Sequence, residues 1–152
     1  MSYFVTGGTG FIGRFLIERL AKRKGTIYIL VRRSSKQKYK DLLQKTGLSS
    51  DRLVAVYGDL SKAKLGISAK DMATLKGSVK QFYHLAAIYD LKADAESQEI
   101  ANIQGTKNAI AAAEAMDAKC FHLASSIAAA GMYRGVFRED MFEEARGLDH
   151  AY

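Results

Sequence analysis

Tyr3-Phe4-Val5-Thr6-Gly7-Gly8-Thr9-Gly10-Phe11-Ile12-Gly13 joins an apolar run to a glycine-rich turn and then to a helical pattern. Gly7 permits a tight exit from a strand, Gly10 removes a side chain where backbone must approach a pyrophosphate, and Gly13 permits close packing of the helix. The free N–H groups and positive dipole end of the following helix suit phosphate. A flexible surface loop is the alternative for such a motif alone, but the strand and helix context favours a nucleotide site. Phe11, Phe15, Leu16 and Leu20 recur at helical spacing, with Arg14, Arg19, Lys22 and Arg23 on the other face. No Gly-Lys-Ser/Thr follows, which disfavours a phosphate loop of the NTPase type. Gly7, Thr9, Gly10, Phe11, Ile12 and Gly13 are therefore the expected phosphate-side contacts.

Strand and helix alternate along the rest of the chain. Tyr3–Val5 is expected as the first strand, Phe11–Lys22 as the first helix and Thr26–Val31 as the second strand, with Gly25 as a helix stop. Lys36–Lys45 is a polar helix with Leu42 and Leu43 inward, Leu53–Tyr57 a third strand, and Ser68–Leu75 a short capped helix. Val79–Leu85 and Lys119–Leu123 supply the fourth and fifth strands. Between them a long helix is expected from about Asp94 to Met116, its apolar stripe formed by Ile100, Ile103, Ile110 and Ala113. Near-continuous apolar strands joined by helices imply a doubly wound α/β domain, a parallel sheet of the Rossmann dinucleotide-binding type. Only five strands can be counted, so residues 1–152 are expected to be the N-terminal portion of a single such domain, with later strands and a substrate-binding part missing. The open edge of the fifth strand is then a liability for self-association.

Composition narrows the function classes. At 152 residues and 48% hydrophobic content the chain suits one core rather than two domains. No signal-like segment or membrane-length apolar run occurs, so a soluble, cytoplasmic protein is expected. Cys120 is the only cysteine, which excludes an internal disulfide, and its apolar surroundings suggest a buried core position. His84, His122 and His150 are widely separated and no metal is expected. The net charge of +7 comes without a nucleic-acid-binding signature, and a basic surface that attracts a phosphorylated small molecule accounts for it.

The end of the second strand decides between nucleotides. An acid there binds the ribose 2′-hydroxyl of NAD, whereas a basic residue accommodates the 2′-phosphate of NADP. Arg32-Arg33-Ser34-Ser35 stands at that point, and no Asp or Glu lies between Glu18 and Asp41. Guanidinium groups and serine hydroxyls suit a phosphate, so NADPH is the expected cofactor, with solvation of a turn as the alternative role for Arg32 and Arg33.

Further strings resemble those of extended short-chain dehydrogenases/reductases: Asp59-Leu60, His84-Leu85-Ala86-Ala87, Asn102-Ile103-Gln104-Gly105-Thr106, and Ser125-Ser126 followed by Gly131. The resemblance implies that Asp59 and Leu60 meet the adenine, that Ala86 and Ala87 let backbone approach the cofactor, and that Asn102 lies on a helix supporting the active site. It implies Ser126 as the catalytic serine and Tyr152, 26 residues later, as the proton donor. The family's lysine four residues after that tyrosine has no counterpart, because Tyr152 is the last residue, so this portion is expected to be inactive alone. Taken singly, Ser126 could merely cap a turn.

The chain is also similar to bacterial alcohol-forming fatty acyl-CoA reductases and related thioester reductases. That likeness rests on the opening segment, Ile29-Leu30-Val31-Arg32-Arg33, Ala124–Gly131, Phe137–Glu144 and Leu148-Asp149-His150-Ala151-Tyr152, with Ala151 where proline is expected. It implies NADPH-dependent reduction of an acyl-CoA or aldehyde to a fatty alcohol, Ser126 and Tyr152 meeting the developing oxyanion. An NAD-dependent sugar-nucleotide epimerase or dehydratase and a non-catalytic NADP-binding sensor are the alternatives on the same fold.

Overall fold

The computed structural model describes residues 2–87, 99–141 and 143–144. Five strands form one parallel sheet in the order β3-β2-β1-β4-β5: β1 (Ser2–Thr6), β2 (Ile27–Val31), β3 (Leu53–Tyr57), β4 (Val79–His84) and β5 (Cys120–Leu123). The helices are α1 (Phe11–Ala21), α2 (Lys36–Thr46), α3 (Ala69–Leu75) and α4 (Gly105–Ala115). Strand order reverses between β1 and β4, and at that switch point the carboxyl ends of both strands open onto a crevice. The expected doubly wound architecture is thus present.

Pleating divides the core into two. Tyr3 and Val5 join Ile17, Leu20, Ile27, Ile29, Val31, Leu42 and Leu53 on the face covered by α1 and α2. Phe4 lies in the opposite cluster with Val56, Leu65, Leu75, Val79, Phe82, Ala109, Ala112, Ala113 and Met116. Across that second face three rings stack over adjacent strands, Phe4 on Phe82 at 4.9 Å and Phe82 on Phe121 at 5.2 Å between centroids. Aromatic pairs in this geometry add attraction to the area they bury.

Local signals set some of the element ends. The Ser68 hydroxyl accepts from the Asp71 N–H at 3.1 Å and donates to the Asp71 carboxylate at 2.8 Å, closing the start of α3. Gly47 ends α2 with φ 65°, as a left-handed stop requires. After β3 the chain turns left-handed through Lys64, Leu65 and Gly66, and the fully buried Leu65 side chain fixes that conformation in the core.

Four expectations are corrected. On α1 the buried positions are Gly13, Ile17 and Leu20, whereas Phe11 is 71% exposed and Phe15 is exposed, with the Arg14 guanidinium 4.9 Å from the centroid of each ring. The stripe through Ile100, Ile103 and Ile110 is also exposed, because α4 turns Ala109, Ala112 and Ala113 into the core and Gly105 toward Leu60. These small residues bring the helix close, and hydropathy undervalues them. In addition, α4 is preceded by a wider π-helical turn over Glu99–Gln104 rather than continuing one α-helix, and residues 88–98, which include part of the expected helix, lie outside the described residues. Cys120 is half-buried rather than buried, since β5 is an edge strand.

Phe82 is fully buried between two rings. Phe82→Ala is expected to cost about 3–5 kcal/mol of folding free energy, measured by urea denaturation; a loss below ~1 kcal/mol would contradict the stacked core.

Candidate functional site

The turn after β1 is held against the turn after β4 by a contact that only glycine permits. Gly7 has φ 71°, and a Cβ there would lie 2.8 Å from the Ala86 nitrogen and 2.9 Å from the Leu85 carbonyl carbon. Gly13 is equally constrained: its Cβ would strike the Gly7 carbonyl oxygen and the Gly8 backbone, so it packs against the turn rather than the strand. Gly10 differs, with extended backbone and only the Gly7 carbonyl oxygen, at 3.2 Å, near the point a Cβ would occupy. Its bare Cα leaves space at the start of α1. That helix has no side-chain cap and no acid in its first turn, so the Phe11, Ile12 and Gly13 amides and the dipole remain available to an anion.

A cleft of about 340 Å³ lies beside this helix start, lined by Gly7, Thr9, Leu30, Val31, Arg32, Ser35, Lys38, Asp59, Leu60, Ser61 and Ile100. The two arginines part company here. Arg32 lines both this cleft and the adjoining one, whereas Arg33 lines the adjoining one alone and stands 5.7 Å from the Tyr57 ring centroid, as does Lys36. Lys38, which the motif reading missed, lines the first cleft with Arg32 and Ser35 because it lies in the first turn of α2.

Asp59 accepts from the Ser61 N–H at 2.9 Å and the Ser61 hydroxyl at 2.8 Å, both on Oδ1. These bonds, helped by Arg32 and Lys62, hold its carboxyl below the usual aspartate value. Leu60 is fixed from behind: the buried Asn108 side chain donates to the Leu60 carbonyl at 2.7 Å and accepts from Gln104 at 3.1 Å. Asn108 is a second missed residue, since nothing in its helical context marks it.

Past the Gly7–Ala86 contact lies a cavity of about 360 Å³, lined by His84, Ala86, Ala87, Asn102, Ile103, Thr106, Lys107, Leu123, Ala124, Ser125 and Ser126. Ser126 caps the turn Ile127–Ala130 by accepting from the Ala128 N–H at 3.2 Å. Its hydroxyl hydrogen is not used in that bond and can be donated into the cavity. Ile100 and Ile103, exposed on their helix, line the two clefts. Of the expected residues, Gly7, Thr9, Arg32, Asp59 and Leu60 thus meet at one cleft, and Ala86, Ala87, Asn102 and Ser126 at the other. Tyr152 lies outside the described residues. Among the described residues no group of three His, Cys, Asp or Glu could hold a metal ion, and no helix is long and apolar enough to cross a membrane.

His84 is 1% exposed, and burial pushes its pKa down from 6.5 to about 4. Nδ1 lies 2.6 Å from the Thr6 hydroxyl and Nε2 lies 3.2 Å from the Thr106 hydroxyl, so both ring nitrogens are partnered.

Residues 5–150 match the NAD-binding protein family described as male sterility protein. A linear gramicidin synthase polypeptide of Brevibacillus parabrevis is 32% identical over 162 residues, covering 97% of this chain and 3% of the synthase. A Drosophila melanogaster protein provisionally named a fatty acyl-CoA reductase is 30% identical over 154 residues, covering 92% of this chain and 28% of its own. The crystal structure of the terminal R domain from the myxalamid PKS-NRPS biosynthetic pathway superposes with a TM-score of 0.77 at 31% identity, over 92% of this chain and 39% of that domain. The chain therefore spans well under half the length of each.

The lowered pKa of His84 sets a pH dependence. Above about pH 6.5 the ring is neutral folded or unfolded and its full contribution is present; between 6.5 and about 4 only the unfolded chain takes up the proton, so stability falls with pH. The loss is on the order of 3 kcal/mol. Thermal denaturation across this window is expected to show that slope, and His84→Asn to remove it; equal slopes in both proteins would contradict it.

Proposed function

Because the chain belongs to the male sterility family of extended, thioester-reductase-like short-chain dehydrogenases/reductases, we propose that it forms the NADPH-binding portion of a reductase that converts a fatty acyl-CoA or fatty aldehyde to the alcohol. One observation carries this proposal: a cleft suited to an adenosine phosphate and a cavity holding a serine hydroxyl meet at the Gly7–Ala86 contact. A dinucleotide laid over that contact spans both.

Each residue then has a task within reach of its position. The Phe11, Ile12 and Gly13 amides hold the pyrophosphate, and the bare Gly10 lets it approach. The Asp59 carboxylate and Leu60 receive the adenine, while Arg32, Ser35 and Lys38 surround the ribose phosphate. When bound, the nicotinamide supplies the hydride. Ala86 and Ala87 leave room for backbone to lie against the ring, and Ser126 donates its hydroxyl hydrogen to the substrate oxygen as negative charge develops there. Asn102 supports the cavity wall. Tyr152 is assigned the proton donor's role from the resemblance alone.

The named activity of the fly relative supports a fatty acyl substrate, and the R domain's likeness over most of this chain supports a reductase. The basic wall of the cleft supports NADPH over NADH. Nothing acidic stands at the end of β2 to take a ribose 2′-hydroxyl, while two cations flank that position.

Fluorescence titration is expected to give tighter binding of NADPH than of NADH. Arg32→Ala and Lys38→Ala should each weaken NADPH by about tenfold or more while leaving NADH nearly unchanged, since a charge-assisted hydrogen bond contributes about 1.5–3 kcal/mol. Arg33→Ala should have the smaller effect; equal affinity for the two nucleotides in the unmodified chain would refute the assignment. In a crystal structure of the NADPH complex, the nicotinamide C4 should lie so that a carbonyl carbon ~3–3.5 Å away can bring its oxygen to Ser126. A nicotinamide directed away from the Ser126 cavity would overturn the reductase reading.

A further inference from the structure

The hydrogen-bonded chain through His84 has only one consistent direction. Thr106 Oγ1 lies 2.6 Å from the Asn102 carbonyl, which can only accept, so the Thr106 hydrogen is committed there. Thr106 must therefore accept at its other contact, which puts the imidazole hydrogen on Nε2. Nδ1 is then bare and accepts from the Thr6 hydroxyl. Thr6 Oγ1 in turn accepts from the Ala86 N–H at 3.3 Å. The opposite tautomer would leave Nε2 facing a hydroxyl whose hydrogen is already used.

Its two ends are the surfaces between which a dinucleotide would lie. On one side the chain fixes Ala86, whose backbone is in contact with Gly7 of the phosphate turn. On the other it fixes the Asn102 carbonyl within the π-helical turn that enters α4. Through this one ring the ends of β1 and β4 are both tied to α4.

We infer that His84 is a positioning residue for the cofactor: as a neutral Nε2–H imidazole it sets, through Thr6, the placement of the Ala86 turn against Gly7 and, through Thr106, that of the Asn102 segment. This rests on the proposal that the chain binds NADPH. Ligand affinity, rather than stability alone, should therefore depend on the Thr6 arm. The Thr106 arm acts on the cavity wall beyond the adenosine cleft and should matter less to affinity.

Amide variants separate the arms. In His84→Asn the side-chain oxygen can replace Nδ1 as acceptor for Thr6 but cannot reach Thr106; in His84→Gln the amide nitrogen can replace the Nε2 donor while the Thr6 arm is lost. NADPH titration of the folded proteins, checked by circular dichroism, should give a Kd raised about tenfold in His84→Gln and in the near-isosteric Thr6→Val, and a Kd within about threefold of the unmodified chain in His84→Asn. Nitrogen-15 spectra of the unmodified chain at neutral pH should show a protonated Nε2 and an unprotonated Nδ1. A purely structural role would lower the melting temperature of all three variants and leave Kd unchanged, which would overturn the inference, as would the Nδ1–H tautomer. If His84→Gln does not fold, Thr6→Val alone decides by the same criterion. Failure of the unmodified chain to bind NADPH would instead refute the nucleotide reading and this inference with it.

Discussion

The close approach of two backbone turns at the sheet's switch point governs the rest of this molecule. Gly7 after β1 and Ala86 after β4 touch where any Cβ on Gly7 would collide. Parallel pairing of β1 with β4 along most of their length brings the turns to the same level, and the Thr6 hydroxyl reinforces the contact by accepting from Ala86. Because the turns meet, the cleft lined by Arg32 and Asp59 and the cavity lined by Ser126 become neighbours rather than separate surface depressions. A larger residue at position 7 would have to push one turn away from the other and would also require a left-handed backbone that disfavours side chains.

Sequence pattern carried the fold well because the strands are nearly continuous apolar runs, and their burial on both faces is what such runs signify. It carried the helix faces poorly, for two different reasons. On α4 the residues packed into the core are Ala109, Ala112 and Ala113, which allow close approach, while the more hydrophobic Ile100 and Ile103 in the turn before it line the two clefts. On α1 the rings of Phe11 and Phe15 are occupied by Arg14, a cation–π arrangement that leaves aromatic residues at the surface. Hydropathy alone cannot distinguish an isoleucine that lines an open cleft from one in a core.

The candidate site was legible wherever its chemistry resides in a contiguous string, as with Gly7–Gly13 or Asp59-Leu60. It was not legible where distant residues meet. Lys38 reaches the cleft only because α2 begins directly after the turn containing Arg32, and Arg33 is drawn away over Tyr57, a partner 24 positions along the chain. Asn108 and Thr106 are polar residues on a helix, indistinguishable in sequence from solvated positions until Leu60 and His84 appear beside them.

The polar groups on α4 also explain how a small-residue helix can position two clefts at once. Gly and Ala along its sheet face allow close packing but provide little directional specificity, because apolar contact is nondirectional. Asn108 supplies direction toward the loop after β3 by bonding the Leu60 carbonyl, and Thr106 supplies it toward the serine cavity by bonding His84 and Asn102. A helix packed only by alanine could slide by a fraction of a turn at modest cost; these buried polar bonds make that slip leave unpaired groups behind, each costing about 1–3 kcal/mol. The register of α4, and with it the separation of the two clefts, is therefore set by polar residues within an apolar interface rather than by the interface itself.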